Sequence, residues 1–381
     1  MSVALAGTEY QPRARIALEA ALRGEGLTHA YLFHGPPGTG KRKAARAFAA
    51  ALISEGTTDP ADVERRVLAG VHPDLTWVEP RGAHDVLVDD VRTQVVRQAA
   101  LRPFEADRRV FVIVEADRMN DEAQNALLKT LEEPASFAHL VLVSSAPGRL
   151  LPTIVSRLQG IRFGPVPAAR IAELLEAEAV DARTALACAR LAGGNADRAR
   201  FLASPEGAKQ RAEAEGAARA TLRSFEDAQW VIAEPWAPLL GRAAKAGAAA
   251  EAAVKEELDQ RLEIEPKRGQ GGFKREFELQ ARRARRRGHT ASLDLSLELV
   301  SLWFRDLVAV ASARETQVLN LDRGEELAAD ARGRNPDRLI ECLELCEETR
   351  RRLERNVLED LALEALFNRL RRATGNRVVT P

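Results

Sequence analysis

The chain has 381 residues, enough for two or three domains at roughly 150 residues each. Its 56 basic and 56 acidic side chains cancel, so no global field recruits nucleic acid or membrane and any such contact must be local. Three cysteines, Cys188, Cys342 and Cys346, are too few for a disulfide scaffold and point to a reducing cytoplasm.

In chain order, residues 10–28 carry Ile16, Leu18, Ala21 and Leu22 at helical spacing and stop at Gly24 and Gly26. Tyr31-Leu32-Phe33-His34 reads as a buried strand running into a glycine-rich turn. A helix with Ala44, Ala45, Ala47, Phe48 and Leu52 follows to about Ser54, where Gly56 and Pro60 break it. A polar segment then leads to His72-Pro73-Asp74 and a strand over 75–78. Val88 starts an amphipathic helix, with Val91, Val95, Val96 and Ala99 facing a core, which stops before Pro103. Val110-Phe111-Val112-Ile113-Val114 is a continuous apolar run, the pattern of a strand buried on both faces of a parallel sheet. A helix over 121–133 and a strand over 140–143 complete an α/β domain that closes near Pro165-Val166-Pro167.

From Ala168 onward every periodic segment is helical: a small bundle over 168–203, then longer helices, the clearest at 292–314 and 336–372. Residues 267–272 read as a flexible joint, residues 274–287 as an arginine-rich run, and residues 373–381 as a frayed tail. The run suits either a solvated helix face or contact with DNA phosphates. No signal peptide and no apolar stretch of about 18 residues occurs, so a soluble, cytoplasmic protein is expected.

Gly35, Gly38, Thr39, Gly40 and Lys41 form a phosphate-binding P-loop, matching G-x-x-x-x-G-K-[ST] except at the last position. In such a loop the glycines turn backbone N–H groups inward, and the helix N-terminus adds partial positive charge. Where a hydroxyl should hold Mg²⁺, Arg42 stands instead. A P-loop ATPase also needs a strand ending in a metal-holding Asp followed by a Glu that orients water. Here Val114 takes the first place and Glu115 the second, and an apolar side chain supplies no oxygen to a hard cation. His72 and Asp74 have no third ligand beside them and read as turn and capping residues, so no metal site is expected.

With these motifs the sequence resembles the delta-prime subunits of bacterial DNA polymerase III clamp loaders, within the AAA+ superfamily. The similar stretches are residues 29–35, His72-Pro73-Asp74-Leu75, Asp117-Arg118-Met119-Asn120, the run from Gln124 to Pro134, and Leu151-Pro152-Thr153-Ile154-Val155-Ser156-Arg157. The resemblance implies an AAA+-like domain over 1–166, a small helical lid over 167–206, and an all-helical collar domain over 207–381 with a basic insertion at about 267–290. It also implies a five-membered ring in which Arg157, with Ser156, reaches into a neighbour's ATP site. The implied partners are gamma/tau motor subunits, the clamp-opening delta subunit and, through the complex, the sliding clamp and primer-template DNA. No membrane is involved.

The departures from the family are Leu158 for a cysteine, no cysteines over 54–71 and hence no zinc, and Asp197 where active relatives carry an arginine. Arg42, Val114 and Asp197 together imply a non-hydrolysing subunit of a polymerase holoenzyme, with no required cofactor and ATP or ADP at most a passive ligand. The alternative is a working motor ATPase, supported by Gly35 to Lys41 and Glu115.

Overall fold

The computed structural model describes residues 5–80, 88–222, 234–264, 270–353 and 357–375. The chain divides into two compact units, Met1–Val166 and Pro167–Pro381. The first contains α1 (Pro12–Leu22), β1 (Ala30–His34), α2 (Lys41–Ser54), α3 (Pro60–Leu68) and β2 (Leu75–Val78). After these come β3 (Arg109–Val114), α4 (Asp121–Glu132), β4 (Ala138–Ser144), α5 (Pro152–Val155) and β5 (Gln159–Arg162).

The five strands form one sheet in the order β2-β3-β4-β1-β5, with every neighbouring pair parallel. Every residue of β3 and β4 is buried, because helices cover both faces of the sheet. The period of two then sorts the side chains. Tyr31, Phe33, Val112, Val114 and Val141 face a core shared with Leu18, Phe48 and Leu52. Leu32, Phe111, Ile113, Leu140 and Leu142 face the opposite core, with Val91, Val95, Leu127 and Leu131. The α/β parallel-sheet architecture expected from the sequence is therefore the architecture of this unit. The turn after β1 lies at the carboxyl edge of the sheet, where ligands of open α/β sheets bind.

One local expectation needs correction. Residues 60–68, read as a polar connection, form α3: Asp59 accepts a hydrogen bond from the Asp62 N–H at 3.1 Å, and Pro60 sits at the first helical position. The proline taken as a breaker is a starter. The edge strand β5 carries no apolar run because only Ile161 of its four residues is buried. The helical stretch from Val88 ends at Ala99 and is wound as a π-helix over Val91–Val96.

The second unit is helical among the described residues: α6 (Ala168–Ala177), α7 (Ala182–Leu191), α8 (Ala196–Ala203), α9 (Pro205–Ala220), α10 (Ala237–Ile264) and α11 (Gln270–Ala311), then α12 (Gly324–Ala331), α13 (Pro336–Leu353) and α14 (Glu359–Thr374). Asp181, Asn195 and Ser204 cap α7, α8 and α9 through side-chain oxygens. Buried Arg211 on α9 reaches Asp322 at 2.6 Å and Asn320 at 2.8 Å, and Asp306 on α11 accepts from the Leu319 and Asn320 N–H groups.

The helix expected over 292–314 is the latter part of α11, which spans 42 residues. Of the expected joint, residues 270–272 open that helix, while residues 267–269 lie outside the described residues. The stretch read as one helix over 336–372 is two, α13 and α14, and residues 354–356 between them lie outside the described residues. The helix α14 also runs to Thr374, whose buried hydroxyl donates to the Thr221 carbonyl at 2.6 Å, so the tail read from 373 starts later. Residues 376–381 lie outside the described residues.

Candidate nucleotide loop and trans-acting arginine

The loop between β1 and α2 is shaped by close backbone approaches. Gly35 has φ +142°, and a Cβ there would lie 1.9 Å from the Phe163 carbonyl oxygen. Gly40 has φ +91°, and its Cβ would lie 2.2 Å from the Gly7 carbonyl oxygen. Only glycine fits either place. Gln11 fastens the loop from outside, donating to the carbonyls of Gly164 at 2.8 Å and Thr39 at 3.3 Å and accepting from the Gly164 N–H at 2.9 Å.

Lys41 is 5% exposed and turns its ammonium onto the loop itself. It donates to the carbonyl oxygens of Gly35 at 2.5 Å and of Pro36, and lies 3.4 Å from the Thr39 hydroxyl. Burial pulls its pKa down to about 8, opposed only in part by the charge of Asp117. Asp117 also accepts from the Ser145 N–H at 2.9 Å, tying the end of β4 to the turn after β3. The loop glycines and Lys41 are those a phosphate-binding loop needs, but here the Gly35 and Pro36 carbonyls hold the ammonium, and a phosphate would have to take their place on it.

The magnesium half does not fit. Val114 closes β3 at 1% exposure within the apolar core and offers only methyl groups. Arg42 pairs with Glu79, which also accepts from Trp77 Nε1 at 2.7 Å. Glu115 stands in left-handed backbone at φ 53° and pairs with Arg118 at 3.0 Å. Among the described residues no group of three or more His, Cys, Asp or Glu could hold a metal ion.

Arg157 lies just after α5, on the turn into β5. Its guanidinium donates to Glu132 at 2.7 Å and to the Thr153 carbonyl at 2.8 Å, while its side chain stays 36% exposed. Ser156 Oγ donates to the Thr153 carbonyl at 3.2 Å and accepts weakly from Arg157 at 3.4 Å. The arginine is held at the surface by one carboxylate from the end of α4.

Residues 10–167 match the family described as DNA polymerase III, delta subunit. The chain is 33% identical over 210 residues to DNA polymerase III subunit delta' of Bacillus subtilis, covering 54% of this chain and 63% of that one. It is 42% identical over 138 residues to DNA polymerase III subunit delta' of Pseudomonas aeruginosa, covering 34% and 41%. Over these residues the chain is similar to delta-prime subunits. It is also similar to DNA polymerase III subunit tau of Bacillus subtilis, at 34% identity over 153 residues, covering 38% of this chain and 26% of that one. The chain thus spans less than two thirds of the length of these relatives.

The family-model match covers the sheet, the P-loop and Arg157 and stops where α6 begins. Beyond it, Asp197 sits exposed in the first turn of α8, 3.8 Å from Arg200, while Arg198 pairs with Glu298 at 2.9 Å. Several residues that build the site were invisible to motif reading. Gly7 and Gln11 wall the loop although they precede it by about thirty residues, and Glu132 holds Arg157 from 25 residues away. Among the described residues, no helix is long and apolar enough to cross a membrane.

Proposed function

We propose that this chain is a non-hydrolysing, delta-prime-type subunit of a bacterial DNA polymerase III clamp loader, serving a neighbour's ATP site through Arg157. Its partners on this reading are gamma/tau-type motor subunits and a clamp-opening delta subunit, and through them the sliding clamp and primed DNA. The observation that carries the reading is Val114, sealed in the core at the place where hydrolysis needs a carboxylate on the cation. Arg42, drawn to Glu79, removes the second oxygen. Nucleotide in the Gly35–Lys41 loop would then be a passive ligand.

Arg157 acts in trans by an elementary mechanism. A phosphoryl group in transfer spreads negative charge over its peripheral oxygens, and a planar guanidinium delivered from next door neutralises it through paired N–H donors. Exposure lets the side chain leave its own surface, and Glu132 pre-orients it, so less rotamer entropy is lost on engagement. Ser156 shares the turn and restrains it.

The test is reconstitution with the motor and clamp-opening subunits. Arg157→Ala should leave the ring assembled and cut its DNA-stimulated ATPase by about 10³-fold at the one site it serves. Loss of assembly would make the arginine structural. ATP turnover by the isolated chain, abolished by Lys41→Ala, would establish a motor ATPase instead.

A further inference from the structure

Residues 282–287 read Arg-Arg-Ala-Arg-Arg-Arg, in a chain whose basic and acidic residues balance overall. Over 270–289 there are seven basic residues against two acidic ones, while the facing helix α10 carries four against five. The excess is local and its partner helix does not cancel it.

The packing of α10 against α11 decides where these side chains point. A Cβ on Gly288 would lie 2.9 Å from the Ala246 carbonyl oxygen, and one on Gly247 would lie 2.7 Å from that of Arg285. Ala281 and Ala284 are buried along the same seam. Positions 281, 284 and 288 share one helical face, so residues 282 and 286 stand on the opposite side with their neighbours at the flanks. Arg282, Arg285, Arg286 and Arg287 are exposed and Arg283 is half-buried. Glu251 of α10 reaches Arg285 at 3.2 Å, yet the Arg285 side chain stays 63% exposed. Arg283, Arg286 and Arg287 also have interactions within the chain. An exposed ion pair such as Arg285–Glu251 exchanges readily for a stronger anion.

A face that only solubilises a helix intersperses the two signs. Here Arg282–Arg286 and Arg283–Arg287 stand at i,i+4 spacing and Arg282–Arg285 at i,i+3, like-charge pairs that oppose the helix they sit on. A polyanion relieves that repulsion. We propose that the exposed arginine face of α11, centred on Arg282 and Arg286, binds the phosphate backbone of duplex DNA. Guanidinium forks suit phosphate oxygens, and the charge density of a duplex matches closely set cations. No Phe, Tyr or Trp occurs over 278–302, so nothing along this face stacks on bases, which favours a duplex over a single strand. The choice of DNA among polyanions rests on the clamp-loader reading above; the surface itself does not.

The experiment uses the full chain and a short fluorescein-labelled duplex, with anisotropy read from about 50 to 200 mM salt. The variant combines Arg282→Gln, Arg285→Gln, Arg286→Gln and Arg287→Gln, and a second variant places Lys at the same four positions. The wild type should bind with a steep salt dependence. The glutamine variant should bind at least about tenfold more weakly at low salt and lose about three to four units of the log–log slope. The lysine variant should keep most of both, and all three proteins should have the same far-UV circular dichroism. An unchanged slope in the glutamine variant, equal loss in the lysine variant, or tighter binding to anionic vesicles or polyglutamate than to the duplex would each overturn the proposal. Assembly with motor subunits is scored separately. If neither wild type nor variant assembles, the clamp-loader reading falls while the duplex result stands or falls on its own slope.

Discussion

At neutral pH the Lys41 ammonium costs the first unit stability, and the cost can be isolated. Burial lowers its pKa from 10.5 to about 8 in the folded chain. Below pH 8 both folded and unfolded states carry the proton, so the penalty is fully present and stability does not vary with pH on this account. Between 8 and 10.5 the folded state releases the proton while the unfolded chain keeps it. The unfolded state then binds more protons, so stability rises with pH. By about pH 9.5 the gain is about 2 kcal/mol, from 1.36 kcal/mol for each pK unit traversed. Lys41→Met, which keeps the shape and removes the charge, lacks this gain. Pulse proteolysis in urea at pH 7 and about 9.5, with fragments of the first unit quantified by mass spectrometry, gives the difference between the two proteins at each pH. That difference should shift by about 2 kcal/mol in favour of the wild type on going to high pH. A shift below about 0.5 kcal/mol would show that the loop carbonyls fully satisfy the ammonium and refute the reasoning. An anion seated in the loop should restore the ordinary pKa and abolish the effect, which ties the measurement to function.

Gly35→Ala should destabilise the first unit by about 3 kcal/mol or more, because its Cβ meets the Phe163 carbonyl and its backbone is confined to positive φ; a lowered urea midpoint for that unit checks this. Asp74, fully buried, accepts from the N–H groups of Phe104 at 2.6 Å, Glu105 at 2.9 Å and Ala106 at 3.1 Å. Asp74→Ala leaves all three donors without it and should cost about 3 kcal/mol or more, read in the same assay. The three thiols are buried, and burial raises all of them, Cys342 to about 12. Ellman's reagent at pH 8 should therefore find none in the native chain and three in guanidinium, and prompt native labelling would contradict the packing around them.

Legibility in the sequence followed how local each determinant is. The strands β3 and β4 announce themselves because burial on both faces writes an unbroken apolar run. The strand β5 cannot, since an edge strand with one buried residue has no such signature. The helix α3 is written in its cap, Asp59 before Pro60, but the same proline also fits the end of α2, and the local sequence does not separate the two roles. The arginine-rich run was visible as composition, but the sign of its exposure was not. That depends on the Gly247 and Gly288 approaches between α10 and α11, a contact about forty residues apart in sequence. The P-loop motif was legible as a pattern, whereas the Lys41 bonds to its own loop and the pull of Glu79 on Arg42 are tertiary facts.

The retention of the loop and the loss of the cation ligands are physically independent. Gly35 and Gly40 are required by the Phe163 and Gly7 carbonyls that press on them, whether or not a nucleotide ever arrives. Replacing either would disturb the β1 to β5 edge or the segment before α1, so packing alone preserves the glycine spacing. Position 114 obeys the opposite pressure. It points into the core with Val110 and Val112, where a valine gains about 1.5–3 kcal/mol from burial and an unpaired carboxylate would cost several. A bound cation, a paired basic side chain, hydrogen bonds or protonation would have to offset that cost. On the non-hydrolysing reading proposed above, an apolar residue there is stabilising while substitutions in the glycines are ruinous. A chain under these forces keeps the shape of a P-loop and sheds its chemistry, so the glycine pattern reports backbone contacts, and the residue that ends β3 reports whether a cation is handled.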